Sequence, residues 1–392
     1  MERTGIYGGS FNPPHIGHIQ AARQAYETLK LDRLLVIPDA IAPHKEFPAN
    51  TPSPEERLEM LRIAAKGHPE LEISDLEIRR TGVSFTCDTV DFLRENHPDT
   101  EFVLLMGSDM FLSFETWKNY RHLLETVELG VFCRGDRGEA EAIRVQKQKL
   151  EQQGAGVTLI DNEVCAISST QMRRLMAFHA GEEFLPDGVG DYIRSHGLYD
   201  AAAHWKNLPM EELEPIVVSL MKPSRVKHIL GVRDTAVKLA EIFGADVTDA
   251  ARAGILHDIT KALDGPLQLT LCRAHGKMLD DFSLKHPKTL HAHTGALVAK
   301  EIFGENQAVV DAIDCHTTGK PNMNLLEEIL YVADYMEPSR NFPGVERLRA
   351  LAFRDVHAAL ILGMQMTLDH LKEQGIEASP ETRQTLDWLN VK

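Results

Sequence analysis

The chain has 392 residues, of which 43% are hydrophobic and 26% are charged, and its formal net charge is −16. This length predicts two domains, and the acidity argues against nucleic acid as a partner, because that partner requires a basic face. The five cysteines include no C-x-x-C pair, which predicts reduced thiols in a cytoplasmic protein. We find no signal-peptide pattern and no apolar run of bilayer-spanning length, so we expect no membrane partner.

The first 200 residues alternate strand-like and helical patterns. We predict strands at Arg3–Gly8, Arg33–Pro38, Leu71–Ile78, Glu101–Met106, Glu128–Cys133 and Val157–Ile160, and helices at Ile16–Lys30, Pro54–Lys66, Thr86–Asn96, Glu115–Thr126, Glu139–Gln153 and Ser169–His179. Such alternation is typical of a mainly parallel sheet covered on both faces. We therefore predict an α/β domain with a doubly wound parallel sheet over residues 1–200, with its ligands beyond the C-terminal strand ends.

Both the strand-like and the helical patterns disappear over residues 201–209, which we interpret as a linker. No strand pattern follows this segment. Helical patterns continue over residues 210–392, among them Ser224–Phe243, Val247–Thr260, His293–Phe303 and Asn324–Met336. The second domain is therefore predicted to be all α.

A glycine-rich turn follows the first predicted strand. Gly8 and Gly9 let backbone N–H groups approach a ligand without a Cβ atom in the way. The helix that begins near His15 directs its positive end at the same place. His15 and His18 are three residues apart, so they share a helix face and can both donate to phosphate oxygens. This stretch predicts a site for a triphosphate.

A second informative stretch ends the domain, where Ser168, Ser169 and Thr170 precede a helix that carries Arg173 in its first turn. The hydroxyl groups are good N-caps, so a capped helix is one interpretation. Arg173 opposes the helix dipole, however, and this placement favours an anion held by the guanidinium and the helix N-terminus.

A third stretch follows the predicted strand Glu101–Met106. Gly107 lets a ligand lie against the backbone, and Asp109 can accept from a ribose hydroxyl. Trp117 offers a stacking surface for a planar ligand, although a tryptophan that packs a helix is an equally good interpretation.

Together with Pro43-His44-Lys45 and Ser84–Thr89, these stretches resemble the bacterial nicotinate-mononucleotide adenylyltransferases over nearly all of residues 1–200. His15-Ile16-Gly17-His18 also matches class I aminoacyl-tRNA synthetases, but we find none of their lysine-rich signature, and the acidity opposes tRNA binding. The resemblance implies transfer of AMP from Mg²⁺-bound ATP to nicotinate mononucleotide, giving deamido-NAD and pyrophosphate.

The same resemblance implies roles for individual residues. Catalysis is implied for His15, His18, Lys45 and Arg173. ATP binding is implied for Gly8, Gly9, Ser10, Phe11, His15, His18, Gly107, Asp109, Ile167, Ser168, Ser169, Thr170 and Arg173. Binding of nicotinate mononucleotide is implied for Asn12, Lys45, Thr86, Trp117 and Arg134. The chain departs from the family at Gly135-Asp136, where Pro-Gly is usual, and at Phe85, where tyrosine is common.

The predicted helical domain contains a His257-Asp258 pair after an apolar run. Such a pair means little alone. Further histidines and a carboxylate lie on other predicted helices or at their ends, at His228, His291, His316 and Asp334. Metal binding is the usual reason to bury so many polar groups in one bundle. A histidine-rich shell favours a transition metal over Mg²⁺.

This series resembles the HD phosphohydrolase superfamily and, within it, the symmetrical bis(5′-nucleosyl)-tetraphosphatases. The residues that carry the likeness are Leu256–Lys261, His316–Gly319 and Ala333–Val345. The resemblance implies cleavage of diadenosine tetraphosphate to two ADP at a centre held by His228, His257, Asp258, His291, His316 and Asp334. It implies iron as the metal, and six ligands suggest two ions with Asp258 between them.

Asp258 and Lys261 are the expected catalytic residues of the second domain, and Lys261 and Arg340 the expected phosphate-binding residues. His293 is an alternative ligand to His291, which we prefer because its sequence context matches the family. We thus predict a bifunctional enzyme whose partners are ATP, nicotinate mononucleotide and a dinucleoside polyphosphate. The alternatives for the second domain are a nucleotide-sensing module or an enzyme for another phosphoester, such as a cyclic dinucleotide or a deoxynucleotide. A homo-oligomer and a preference for nicotinamide mononucleotide both stay open.

Overall fold

The structure, a computed structural model, describes residues 1–41, 51–80, 82–133, 137–161, 167–201 and 203–391. The chain divides into two compact units, the first comprising Met1–Ala177 with Gly181–Ala202 and the second Phe178–Ala180 with Ala203–Lys392. Within the described ranges, no helix combines the length and the apolar character needed to cross a membrane. Lys45 and Arg134, both predicted site residues, lie outside the described residues.

The first unit is built on a parallel sheet. Its strands within the described residues are β1 (Glu2–Gly9), β2 (Arg33–Pro38), β3 (Leu71–Ile73), β4 (Thr100–Gly107), β5 (Glu128–Cys133) and β6 (Val157–Asp161), in the order β3-β2-β1-β4-β5-β6. Ile6 of β1 lies opposite Leu35 of β2 and Leu104 of β4. The strand order reverses between β1 and β4, so a crevice is expected at their C-terminal ends. The α/β prediction is confirmed.

The central strands are nearly continuous apolar runs because helices cover both faces of a parallel sheet. These helices are α1 (Ile16–Thr28), α2 (Pro54–Ala64), α3 (Leu76–Arg79), α4 (Thr86–Asn96), α5 (Ser108–Leu112), α6 (Tyr120–Thr126), α7 (Arg137–Glu151), α8 (Ser169–Ala177) and α9 (Val189–Ser195). Short 3₁₀ turns occupy Phe114–Thr116, Glu182–Phe184 and Leu198–Asp200.

Two predicted elements of this unit are wrong in their bounds. The strand predicted over Leu71–Ile78 ends at Ile73, because the Ser74 hydroxyl accepts from the Leu76 N–H and turns the chain into α3. The helix predicted over Glu115–Thr126 begins only at Tyr120. Asn119 adopts a left-handed conformation with φ of 54°, which interrupts the helix and leaves Trp117 in extended backbone.

The second unit has helices and no strand among residues 203–391, so the all-α prediction is confirmed. The helices are α10 (Met210–Leu220), α11 (Pro223–Phe243), α12 (Val247–Leu256), α13 (Gly265–Ala274), α14 (Asp281–Lys285), α15 (Leu290–Glu301), α16 (Gln307–Cys315), α17 (Leu325–Met336), α18 (Val345–Ala352), α19 (Val356–Glu373) and α20 (Pro380–Leu389).

Five of these helices, α11, α12, α15, α16 and α17, pack against one another and bring their chemically active residues together. Side-chain caps define where several of them begin, such as Asp246, which accepts from the Asp249 N–H at 2.9 Å before α12. Two predictions are corrected here. The helix predicted over Val247–Thr260 ends at Leu256, with His257 as its C-cap. His291 lies in the first turn of α15 rather than before the helix.

Candidate active sites

A cavity of about 590 Å³ opens at the C-terminal ends of β1 and β4 in the first unit. The predicted site residues that line it are Gly8, Gly9, Ser10, Phe11, Asn12, His15, His18, Thr86, Gly107, Asp109, Trp117, Ile167, Ser169, Thr170 and Arg173. Ser168 does not line this cavity; its hydroxyl accepts from the Gln171 N–H at 3.3 Å and caps α8. The switch point in strand order therefore collects four stretches that are far apart in the sequence.

The glycine-rich turn forms part of the cavity wall. A Cβ atom added to Gly8 would meet no atom within 4 Å, so the space beside this backbone is open to a ligand. A Cβ on Gly107 would lie 2.8 Å from Asp109 Oδ1. Glycine at position 107 thus allows the Asp109 carboxylate to fold back at the end of β4.

The two histidines of the turn stack on each other, with ring centroids 3.7 Å apart. The Nδ1 atom of His18 accepts from the His15 backbone N–H at 3.2 Å. Because Nδ1 acts as the acceptor, the neutral imidazole of His18 carries its proton on Nε2. His18 therefore has a fixed tautomer, with its N–H group at Nε2.

The N-terminus of α8 is joined to the glycine-rich turn. Arg173 Nη1 donates to the Asn12 carbonyl at 2.6 Å, and the Ser169 hydroxyl donates to the Pro13 carbonyl at 3.1 Å. Burial lowers the pKa of Arg173, but a guanidinium remains charged at neutral pH. The side-chain amide of Asn12 is buried, 2% exposed, and has no hydrogen-bond partner within the described ranges. A buried amide in this state suits a polar ligand.

Part of the cavity lining is aromatic, at Phe85 and Trp117. The Trp117 ring packs against Phe114 with centroids 5.1 Å apart. Lys118 Nζ lies 4.2 Å from the centroid of the Phe85 ring and 3.2 Å from both carboxylate oxygens of Asp88. Thr86 begins α4 beside them. This end of the cavity can therefore hold a planar ring between an aromatic surface and a helix N-terminus.

The second unit brings all six predicted metal ligands together. His228 lies on α11, His257 and Asp258 follow α12, His291 lies on α15, His316 follows α16, and Asp334 lies on α17. We call these six residues the metal-site cluster. His228 Nε2 lies 3.1 Å and His257 Nε2 3.8 Å from Asp334 Oδ1. His291 Nε2 and His316 Nε2 lie 3.3 Å and 4.0 Å from Asp258 Oδ1.

The opposite ring nitrogens fix the tautomers of these histidines. Nδ1 of His257 lies 2.8 Å from the Gly254 carbonyl, Nδ1 of His316 lies 2.7 Å from the Ile313 carbonyl, and Nδ1 of His291 lies 2.9 Å from the Lys288 carbonyl. A carbonyl only accepts, so each Nδ1 carries the proton and each Nε2 presents a lone pair.

The Nε2 atoms of three of these histidines are buried and lack a hydrogen-bond partner among the described residues: His228, His257 and His316. Burial lowers the pKa of His257 well below its usual value and that of His316 to about 4. Asp334 remains ionised, because the contact with His228 and the charge of Arg340 hold its pKa well below the usual range although burial opposes this. Neutral imidazoles beside ionised carboxylates are the form in which these groups bind metal.

His293 does not join the cluster. Its Nδ1 atom lies 2.9 Å from Asp314 Oδ1, and its Nε2 atom faces the Ser283 hydroxyl at 3.4 Å. The geometry therefore favours His291 as the ligand from α15.

Comparisons with known proteins match both units. A Mycoplasma pneumoniae protein named probable nicotinate-nucleotide adenylyltransferase/Ap4A hydrolase is 30% identical over 336 residues, which cover 86% of this chain and 88% of that protein. The chain belongs to this two-domain family. Residues 6–175 match the cytidylyltransferase-like family model, and residues 225–339 match the HD domain model.

Single-domain relatives match each half of the chain separately. A protein of Aeromonas salmonicida named probable nicotinate-nucleotide adenylyltransferase is 37% identical and covers 50% of this chain and 97% of its own length. A symmetrical bis(5′-nucleosyl)-tetraphosphatase of Halalkalibacterium halodurans is 39% identical and covers 44% of this chain and 94% of its own length. Both resemblances found in the sequence are thus confirmed at the level of the family.

The HD domain surrounds its metal-site cluster with cations. Arg340 Nη2 donates to Asp334 Oδ1 at 2.5 Å, and Lys261 Nζ lies 2.7 Å from His291 Nε2. Arg225 donates to Asp258 Oδ2. Burial lowers the pKa of Lys261 to about 8, so this amine is mostly charged at neutral pH. Positive charge beside a histidine-rich centre suits a polyphosphate substrate.

Sequence reasoning missed Arg225, which lies three residues before His228 on the same face of α11. That spacing was the available signal. It also missed Arg57, a buried residue of α2 that is 1% exposed. Arg57 donates to the Ser10 carbonyl at 2.7 Å and to Asp39 Oδ1 at 3.0 Å, while the Ser10 hydroxyl donates to Asp39 Oδ2 at 2.7 Å. Arg57 thereby fixes the glycine-rich turn, and no local sequence pattern indicates this contact.

Proposed function

We propose that this chain is a bifunctional enzyme that transfers AMP from ATP to nicotinate mononucleotide in its first unit and hydrolyses diadenosine tetraphosphate to two ADP in its HD domain. Family membership supports this proposal. The observation that carries it is the presence of two separately assembled sites, the cavity at the strand switch point and the metal-site cluster.

In the first reaction, a phosphate oxygen of nicotinate mononucleotide attacks the α-phosphorus of ATP, and pyrophosphate leaves. This in-line displacement requires alignment and charge neutralisation and no protein nucleophile. His18 presents Nε2–H to the developing charge, and Arg173 faces the same cavity. Lys45 and Arg134 are proposed to add charge here. Mg²⁺ enters with ATP as part of the substrate.

The nicotinate ring is proposed to bind at the aromatic end of the cavity, near Thr86 and Trp117. The Asn12 amide, which has no partner among the described residues, lies in the same cavity and is proposed to bind the mononucleotide. This placement leaves the glycine-rich turn and the N-terminus of α8 for ATP.

The first activity is tested by product analysis with ATP, Mg²⁺ and either nicotinate mononucleotide or nicotinamide mononucleotide. The proposal expects deamido-NAD and pyrophosphate from nicotinate mononucleotide. It expects a loss of about 10²–10³-fold in kcat for His18→Ala, the usual cost of one donor to a developing charge. His122→Ala is the matched control, because His122 bonds Asp91 outside the cavity. Failure of the wild-type protein to form dinucleotide would refute the first activity.

In the HD domain, the donor set fits a divalent transition metal, because buried Nε2 atoms that have no hydrogen-bond partner in the described part of the chain converge with ionised carboxylates. The six residues of the metal-site cluster are proposed to hold it. We propose iron, as two ions. When bound, the metal supplies Lewis-acid activation of water and of phosphoryl oxygens.

The residues of the chain then bind and orient the tetraphosphate. Arg225, Lys261 and Arg340 each contact a member of the metal-site cluster, so their charges are close enough to bind the phosphates next to it. Symmetrical cleavage releases ADP as the leaving group, and these cations stabilise its negative charge.

The test of this part uses protein stripped of metal by a chelator and then supplied with Fe²⁺ or Mn²⁺. ADP is expected as the nucleotide product of diadenosine tetraphosphate only after metal is added. His257→Ala should abolish that recovery, whereas His357→Ala, which alters a histidine paired with Glu328 outside the cluster, should not. Recovery of no ADP with any divalent metal would exclude this substrate.

A further inference from the structure

One histidine of the metal-site cluster has a different partner from the other three. His257, His291 and His316 donate from Nδ1 to a backbone carbonyl three residues earlier. Nδ1 of His228 instead lies 3.0 Å from a carboxylate oxygen, Oε1 of Glu337. A carboxylate partner makes an imidazole a stronger electron donor than a carbonyl does and holds the ring in one orientation.

Glu337 is fixed in place more firmly than a surface carboxylate. It is 1% exposed. Its Oε2 atom accepts from the Ser339 N–H at 2.7 Å, and its Oε1 atom also accepts from the Ser339 hydroxyl. Both oxygens are therefore used, and the carboxylate has no freedom to turn away from His228.

Helix α11 leaves room for this carboxylate. A Cβ atom added to Gly231 would lie 2.5 Å from Glu337 Oε2, a separation that atoms without a bond do not reach. Gly231 follows His228 by three residues, so both face the same neighbour. A glycine at this position lets the Glu337 carboxylate approach the helix that carries His228.

The end of α17 thus places a carboxylate oxygen beside each ring nitrogen of His228. Asp334 Oδ1 lies 3.1 Å from Nε2, and Glu337 Oε1 lies 3.0 Å from Nδ1. With Nδ1–H engaged by Glu337, Nε2 keeps its lone pair toward the centre of the cluster. We propose that Glu337 is a positioning residue of the metal centre, which sets the tautomer and the donor strength of His228 and thereby raises metal affinity.

The proposal rests on the proposed metal centre and not on the identity of the substrate. It is tested on the full chain, made metal-free and titrated with Co²⁺ alone against a competing chelator. Glu337→Gln keeps the shape of the side chain but has one carbonyl oxygen for the three donors, His228 Nδ1, Ser339 N and Ser339 Oγ. The expected result is Co²⁺ binding weaker by about 10- to 100-fold, the usual effect of losing a histidine's partner, with a changed visible Co²⁺ spectrum.

Glu328→Gln is the matched control. Glu328 is 7% exposed and pairs at 3.0 Å with Nδ1 of His357, a partly exposed histidine, so it is a buried glutamate with a histidine partner outside the cluster. The Co²⁺ affinity and the visible Co²⁺ spectrum of Glu328→Gln should equal those of the wild type. Gly231→Ala displaces the carboxylate without removing it, and we expect it to lower Co²⁺ affinity as Glu337→Gln does.

The outcomes separate the two claims. A wild-type protein that binds no Co²⁺ contradicts the metal centre itself. A wild-type protein that binds Co²⁺, with Glu337→Gln matching both its affinity and its spectrum, overturns the role of Glu337. If Glu337→Gln fails to fold, Gly231→Ala decides, and wild-type binding by that variant overturns the proposal.

Discussion

Arg173 and Asn12 are 161 residues apart in the sequence, and Arg173 Nη1 donates to the Asn12 carbonyl at 2.6 Å. The contact joins α8 to the turn that follows β1. A cation in the first turn of a helix opposes the helix dipole. Here the carbonyl partner and the adjoining cavity account for that placement.

Arg173→Lys tests whether the two hydrogen bonds of the Arg173 guanidinium group matter for the reaction. Lysine keeps the charge but does not donate to the Asn12 carbonyl and the Thr170 hydroxyl in one fixed plane as arginine does. We expect kcat/KM for dinucleotide formation to fall by about 100-fold, measured by pyrophosphate release. Arg174→Lys, a change at a neighbour that does not line the cavity, should keep most of the activity. Equal activities of the two variants would contradict a role for Arg173 in the reaction.

Arg57→Met should destabilise the first unit. It removes the donors to Asp39 and the Ser10 carbonyl and leaves a largely buried carboxylate without its cation. We expect a loss of about 3 kcal/mol in the free energy of unfolding, measured by urea denaturation. Arg62→Met, on the same helix, removes an exposed ion pair with Glu59 and should cost less than about 0.5 kcal/mol. Similar losses in both variants would show that the Arg57 contacts do not hold the turn.

Metal should stabilise the HD domain. A ligand that binds only the folded state adds RT ln(1 + [L]/Kd), which is about 2.7 kcal/mol at a hundredfold excess over Kd. Mn²⁺ is therefore expected to raise the unfolding temperature of metal-free wild-type protein. The same addition should leave His257→Ala unchanged, since that variant lacks one of the converging Nε2 atoms. An equal rise in both proteins would place the metal elsewhere.

The His293–Asp314 contact predicts a dependence of stability on pH. The Asp314 hydrogen bond and charge hold the pKa of His293 above its usual value although burial lowers it, and the same contact holds the pKa of Asp314 below its usual value although burial raises it. Stability from a raised histidine pKa is lost as pH rises, and stability from a lowered aspartate pKa is lost as pH falls. The pair should contribute most between about pH 4 and pH 6.5.

Asp314→Asn should therefore cost about 1 kcal/mol of stability near pH 5.5 and less near pH 9. Lys277 Nζ, 3.5 Å from Asp314 Oδ1, accounts for the part that remains at high pH. Chemical denaturation at both pH values measures the difference. Asp311→Asn, a change on the same helix outside the pair, should show no such pH dependence, and a flat profile for Asp314→Asn would reject the explanation.

Local sequence patterns predicted the helices and strands that carry the sites. The contacts between residues of different elements became visible only in the structure. The strand and glycine pattern before His15 located the cavity, because the strand, the turn and the helix that follow one another there are close together in the sequence. The sequence did not predict the break at Asn119, because a left-handed conformation at that residue depends on tertiary packing. Arg57 and Glu337 were missed for a related reason. Each acts through a residue far along the chain, and no local pattern indicates that partner.

The most direct measurement compares His18→Ala and His257→Ala in the full chain, each assayed for dinucleotide formation from ATP and nicotinate mononucleotide and for ADP release from diadenosine tetraphosphate with added metal. Two independent sites predict that each variant loses its own reaction by about 100-fold or more and keeps the other. Loss of both reactions in one variant, or no ADP from the metal-loaded wild type, would contradict the account.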